Sequence, residues 1–113
     1  MIRKAPPSKY QAMWLVVMFD LPVHDLHARR RYTQFRKMLL SDGFARLQLS
    51  VYARYCSGEE IAKRIRRIIE QQVPPEGQVR VLAFTDVQFG KMQIFEGKTR
   101  VKPENAPKQY LLF

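Results

Sequence analysis

The sequence predicts an α+β domain in the order β-α-β-β-α-β, on three observations. An apolar run, Trp14-Leu15-Val16-Val17-Met18-Phe19, leads into Asp20 and is stopped by Leu21-Pro22. Two segments with helical apolar spacing alternate with segments rich in strand formers. Turn residues, Ser41-Asp42-Gly43 and Pro74-Pro75-Glu76-Gly77, punctuate the chain between them.

The first strand covers residues 14–20. A continuous apolar run with β-branched members reads as a strand buried on both faces. Pro22 cannot donate a ladder hydrogen bond, so the strand ends near Asp20. Leu21 to Asp25 connects it to a helix from Leu26 to Leu40, with Asp25 as cap. Tyr32, Phe35 and Leu39, with Met38 beside them, form its apolar stripe. Gly43 suits a left-handed C-cap. Phe44 to Cys56 is strand-like and long, so it is expected as two strands with a tight break near Gln48 to Ser50. Ser57 and Glu60 have capping-box spacing. The second helix follows to about Gln72, with Ile61, Ile65, Ile68 and Ile69 inward. Gln78 to Thr85 is the last central strand, with Val79, Val81, Ala83 and Thr85 on one face and Arg80, Leu82 and Phe84 on the other.

Residues 1–12 are polar with Pro6-Pro7 and read as a flexible arm; 13–86 form the domain; 87–113 are a C-terminal extension. Lys91 to Phe95 alternates and reads as a short extra strand. Tyr110-Leu111-Leu112-Phe113 is an apolar end after a polar, proline-containing tail and is expected to dock. The element order is the ferredoxin-like split βαβ arrangement, a four-stranded antiparallel sheet with both helices on one face. The other face needs a cover, most simply a second copy of the chain in a two-fold dimer.

The 113 residues carry 20 Lys+Arg against 10 Asp+Glu, a formal charge of +10, and a pI near 10.2. That balance favours a polyanion, nucleic acid before an acidic membrane surface, and gives no reason for a neutral metabolite. Cys56 is the only cysteine, so no intrachain disulfide and no Cys-rich zinc site can form. No apolar run approaches the ~18 residues of a membrane span, and no signal segment follows the basic N-terminus. The expected location is cytoplasmic.

On the first helix Arg29 and Arg36, and Arg30 and Lys37, are seven apart and share a face. On the second, Lys63 and Arg67 are four apart, with Arg64 and Arg66 beside them. The default for such a run is a solvated face. Recurrence of one sign on both helices, with few acids between, favours contact with nucleic-acid phosphates and little sequence preference. Asp20 is either a strand-end cap or Arg partner, or a metal ligand. His24 and His27 flank Asp25 and are read first as solvated residues of a helix start, with proton shuttling as the alternative. Cys56 reads as a small, partly buried residue at a strand end with no base beside it. Tyr52 and Tyr55 read as packing residues. The RNA-recognition fold shares the element order, but its basic-Gly-aromatic signature is absent around Ser50 to Cys56.

Phe19-Asp20 at the strand end, the basic helix with Arg29-Arg30-Arg31-Tyr32 and Phe35-Arg36-Lys37, and Gly43-Phe44 followed by Gln48-Leu49-Ser50-Val51-Tyr52 together resemble the CRISPR-associated protein 2 family over about residues 13–95. The tail resembles members that accompany type II systems. The resemblance implies a ferredoxin-like homodimer that scaffolds spacer acquisition, bridging the CRISPR integrase and holding double-stranded DNA. It also implies a metal-dependent nuclease activity in some members, with Asp20 binding a divalent cation such as Mg²⁺ and acting as the catalytic carboxylate. Phe19 stands where many members have Tyr, which removes a hydroxyl beside that carboxylate. The alternatives are a standalone toxin-like endoribonuclease and a non-catalytic RNA-binding module.

Overall fold

Strand β1 (Met13–Asp20) lies inside a four-stranded antiparallel sheet ordered β2-β3-β1-β4. The computed structural model describes residues 11–107. The neighbours of β1 are β3 (Val51–Cys56) and β4 (Gln78–Thr85), and β2 (Ala45–Gln48) is the edge beyond β3. The ladders pair Val17 with Tyr52 and with Val81, and Asp20 with Gln78. Helices α1 (Leu26–Ser41) and α2 (Glu59–Gln72) complete the ferredoxin-like arrangement expected from the sequence. The break in Phe44–Cys56 falls at Leu49-Ser50, where the chain turns back on itself.

Because β1 has neighbours on both sides and is covered on both faces, its alternate residues feed two separate cores. Leu15, Val17 and Phe19 face the helices and pack with Phe35 and Leu39 of α1, Ile65 and Ile69 of α2, and Tyr52. Trp14 and Val16 face the other way, with Ala53 and Phe89, and Met18, Val51 and Phe84 pack at the margin. The strand is apolar throughout because neither face meets water over most of its length.

Helix α1 starts where Asp25 Oδ1 accepts from the Ala28 N–H at 2.7 Å. That bond holds the Asp25 carboxyl below its ordinary value, helped by charge from His24, His27 and Arg31 against some desolvation. The helix ends in a Schellman arrangement: the Phe44 N–H bonds the Leu39 carbonyl at 3.0 Å and the Gly43 N–H bonds that of Leu40 at 3.2 Å. Gly43 takes φ +89°, so the left-handed turn falls where the sequence placed it. Arg54 of β3 donates from Nε to the Asp42 carbonyl at 2.7 Å and ties the helix end to the sheet.

Helix α2 corrects one expectation. Its N-cap is Gly58, with extended backbone and no side-chain cap bond, so Ser57 and Glu60 form no capping box. Glu59 and Glu60 occupy the first turn, where the helix dipole favours acids. Ala62 joins Ile65 and Ile69 in the buried stripe, and Ile61 and Ile68 lie at its margin.

The segment after β4 departs furthest from the sequence reading. Residues to which the sequence reading assigned no element form a short helix, α3 (Asp86–Gly90), opened by a capping box between Thr85 and Gln88. The expected strand over Lys91–Phe95 is shifted to β5 (Ile94–Glu96), which pairs with β6 (Thr99–Val101) and not with the main sheet. The cover on the second face at the Trp14 end comes from the chain itself. Phe89 stacks on Trp14 with ring centroids 4.1 Å apart and planes 8° apart, and Trp14 Nε1 donates to Asp86 Oδ1 at 2.7 Å. Farther along, a cleft of about 680 Å³ opens between sheet and hairpin, lined by Met18, Val51, Phe84, Met92 and Ile94 among others. Just before β1, the Ala12 carbonyl accepts from the Asp86 N–H at 3.1 Å; residues 1–10 of the expected arm lie outside the described residues. The docking expectation for Tyr110, Leu111, Leu112 and Phe113 lies outside the described residues. Among those described, no helix is long and apolar enough to cross a membrane.

Candidate functional site

Asp20 is the last residue of β1 and exposed, with Phe19 before it buried against the helices. Strand alternation therefore turns the Asp20 side chain to the second face, away from α1 and α2. Three backbone features fix that end of the strand. The Phe19 N–H donates to the Ser50 carbonyl at 3.0 Å. Asp20 pairs with Gln78 in the β4 ladder. Gly77, at φ +86°, lies so close that a Cβ there would be 2.5 Å from the Asp20 carbonyl oxygen.

A cleft of about 290 Å³ surrounds the carboxylate, lined by Met18, Phe19, Asp20, Ser50, Val51, Gln78 and Arg80. Met18 pairs with Arg80, so Asp20, Gln78 and Arg80 stand on one face of two adjacent strands. Arg80 Nε donates to Gln78 Oε1 at 2.8 Å. Among the described residues Asp20 has no ion pair, and no three His, Cys, Asp or Glu side chains are grouped where they could hold a metal ion together. Neither His24 nor His27 lines this cleft. His24 Nε2 instead stands 3.1 Å from Asp25 Oδ2 on an exposed corner.

The basic residues lie in the other layer. Arg29, Arg30 and Lys37 on α1, and Lys63, Arg64, Arg66 and Arg67 on α2, are exposed and make no ion pair among the described residues. Arg36 is half-buried, with an Nε that is enclosed and without a partner, so it stands apart from the outward row. Arg31 reaches Glu76 at 3.8 Å. Both helices pack one sheet face through their apolar stripes, so their cations point away from the sheet. The sheet thus separates the helix cations from the Asp20 cleft. Arg29 and Arg30 lie in the first two turns of α1, just after β1 and towards the Asp20 end; Arg66 and Arg67 lie at the middle of α2.

Sequence reasoning does not find Ser50, Gly77, Gln78 and Arg80 as site residues. The face of Arg80 is readable from strand alternation, but its nearness to Asp20 depends on the β1–β4 register, which one sequence does not reveal. Cys56 is fully buried, and burial raises its thiol above the ordinary value, against the opposing effect of Arg54. That is an inert environment. Tyr52 is buried in the helix-side core and Tyr55 meets Trp14 edge-to-face at 5.6 Å, so both pack rather than present a base-stacking surface.

Comparison with known proteins agrees with this architecture. The family described as "CRISPR associated protein Cas2" matches residues 13–92. A protein of Parvibaculum lavamentivorans named "CRISPR-associated endoribonuclease Cas2" is 44% identical over 101 residues, covering 89% of this chain and 100% of its own. One of the same name from Flavobacterium psychrophilum is 38% identical over 106 residues, covering 94% and 92%. A solved structure titled "Crystal structure of cas2" superposes with TM-score 0.53 at 21% identity, covering 80% of this chain and 95% of that one, a likeness of fold. With the family match spanning the central domain and these identities over most of the chain, the protein belongs to the CRISPR associated protein Cas2 family.

Proposed function

We propose that this chain is an adaptation subunit for spacer acquisition. It works as a homodimer, holds double-stranded DNA on its helix layer and bridges the CRISPR integrase. The observation that carries the reading is the row of cations on α1 and α2 that are exposed and unpaired among the described residues. Cations held this way meet phosphates without reading bases. The open apolar cleft on the second face and Phe95, 59% exposed on the hairpin, favour a second copy as the cover there.

A second reading, metal-dependent endoribonuclease activity at Asp20, is favoured by a separate observation. The carboxylate is exposed at a strand end with no cation partner among the described residues, and the relatives carry the name endoribonuclease. Mg²⁺ is commonly held by one or two carboxylates while keeping several waters. Asp20 fits as one such ligand, and its mate in a dimer as a second. When bound, the ion offsets phosphate charge and acidifies a bound water. The chain's own part is to hold the carboxylate rigidly at the cleft.

The test measures affinity for matched duplex DNA, single-stranded DNA and RNA at several salt concentrations, wild type beside Asp20→Asn. The expected result is tightest binding to duplex, a slope of log K on log salt near about −0.9 for each neutralised phosphate, and no effect of Asp20→Asn on duplex binding. Preference for RNA, with metal-dependent cleavage lost in Asp20→Asn, puts the enzyme reading first. RNA preference with no cleavage leaves an RNA-binding module.

A further inference from the structure

We propose that Arg36 and Arg46 form a phosphate-binding strip along the flank where α1 meets edge strand β2, a second contact for duplex DNA lying on the helix layer. The inference rests on the nucleic-acid reading above. Helix α1 packs against β2, the strand at one edge of the sheet, and β4 is the other edge. Arg31 and Arg36 are both half-buried, on either side of the Ala28-Phe35-Leu39 stripe, because five residues turn the chain roughly 140° about the helix axis. Arg31 faces the β4 side, since it reaches Glu76 in the turn before that strand at 3.8 Å. Arg36 therefore faces the β2 side, and Arg29, seven residues earlier, shares its flank. Arg46 pairs with Tyr52 of β3, so it points to the same sheet face as that ring, the helix face. That face is the opposite of the one assigned to a second copy.

This flank carries one sign of charge. From Leu26 to Gln48 the sequence holds Arg29, Arg30, Arg31, Arg36, Lys37 and Arg46 against a single acid, Asp42, which makes no ion pair among the described residues. Arg54, on the same sheet face, shows how an arginine is satisfied here. Its Nε donates to the Asp42 carbonyl at 2.7 Å and its Nη1 to that of Tyr55 at 3.4 Å. Arg36 and Arg46 have no such acceptors among the described residues. The Arg36 Nε is enclosed and unpartnered, a cost to folding that a well-packed apolar side chain would not carry. Its terminal nitrogens are not enclosed, and Arg46 is exposed, so both keep the fork that grips a phosphate from solvent.

The experiment measures affinity of the full chain for a short duplex DNA in EDTA over a salt series, with a melting curve for each variant. Arg46→Gln is expected to weaken binding about tenfold, the size of one charge-assisted contact, and to flatten the salt slope by about 0.9, the share of one neutralised phosphate. Arg36→Met is expected to do the same while melting at or above the wild-type temperature, since the enclosed, unpartnered nitrogen is gone and the packing of the stem is kept. The double variant is expected to lose about 1.8 of slope. Lys98→Gln, at an exposed position in the turn of the β5–β6 hairpin, removes the same charge elsewhere and is expected to change neither affinity nor slope. If Arg36→Met melts lower with affinity and slope unchanged, Arg36 is a packing residue and the proposal is overturned. Unchanged binding in Arg46→Gln, or an equal loss in Lys98→Gln, overturns it as well, the latter because net charge then explains the effect. Absence of salt-dependent duplex binding in the wild type sinks the nucleic-acid reading and this proposal together; wild-type binding that neither arginine affects sinks this proposal alone.

Discussion

At the scale of single residues, the position of the candidate carboxylate depends on a neighbour with no side chain. Gly77 sits in the turn before β4 at φ +86°, and a Cβ there would lie 2.5 Å from the Asp20 carbonyl oxygen and 2.8 Å from Leu21 Cδ2. Two costs therefore combine in Gly77→Ala: a left-handed backbone with a side chain, and a clash with main chain that cannot rotate away. Held backbone strain of this kind costs roughly 1–3 kcal/mol, and the clash adds to it. The expected outcome is a lower urea midpoint with an unchanged slope, the mark of reduced stability without a change in surface exposed. A midpoint equal to wild type would mean that this end of β1 is soft, and with it the cleft around Asp20. The sequence displays Asp20 as a strand-end carboxylate and Gly77 as a turn residue. That the two touch follows from β4 returning beside β1, a long-range pairing that no local pattern encodes.

At the scale of elements, local signals suffice wherever one periodicity dominates. The β1 run, the isoleucine stripe of α2 and the Gly43 turn after α1 are all legible in the spacing. Capping signals are less decisive. Ser57 to Glu60 and Thr85 to Gln88 have the same spacing, yet only the second forms a capping box. Gly58 supplies the extended cap residue at α2, so the Ser57 hydroxyl is not used. Helix α3 is not legible in the sequence because so short a segment shows no helical period. Its weight in the fold comes from one ring: Phe89, 2% exposed, stacked on Trp14. Phe89→Ala removes that ring and opens the second-face core, at an expected cost of about 3–5 kcal/mol. Trp14 is the only tryptophan, so its fluorescence reports the change directly. A red-shifted emission in the folded variant is expected as water reaches the indole. Unshifted emission with unchanged stability would mean that the α3 cover is dispensable.

At the scale of the whole molecule, the sheet separates the cations of the helix layer from a second face where an apolar cluster around Trp14 adjoins Asp20 and Arg80. Helices α1 and α2 carry Arg29, Arg30, Arg66 and Arg67 outward, all exposed and unpaired among the described residues. Asp20 and Arg80 belong to the opposite face. The sequence displays both charge sets but not their separation, because strand alternation assigns faces only once the register and helix side are known. The separation makes a prediction that a single mixed site would not. Replacing Arg29, Arg30, Arg66 and Arg67 together by Gln should weaken duplex DNA binding at least about tenfold and flatten the salt slope by about 0.9 for every phosphate left without its cation. The effect should be the same in wild-type and Asp20→Asn backgrounds, since charges on opposite faces of a sheet are well separated and screened at ~0.15 M salt. Affinity measured by fluorescence anisotropy over a salt series checks both parts. Equal weakening in the two backgrounds means that the helix layer holds duplex independently of the carboxylate. Weakening that depends on Asp20 means that the nucleic acid wraps the sheet edge and touches both faces, and the two-layer account is then wrong.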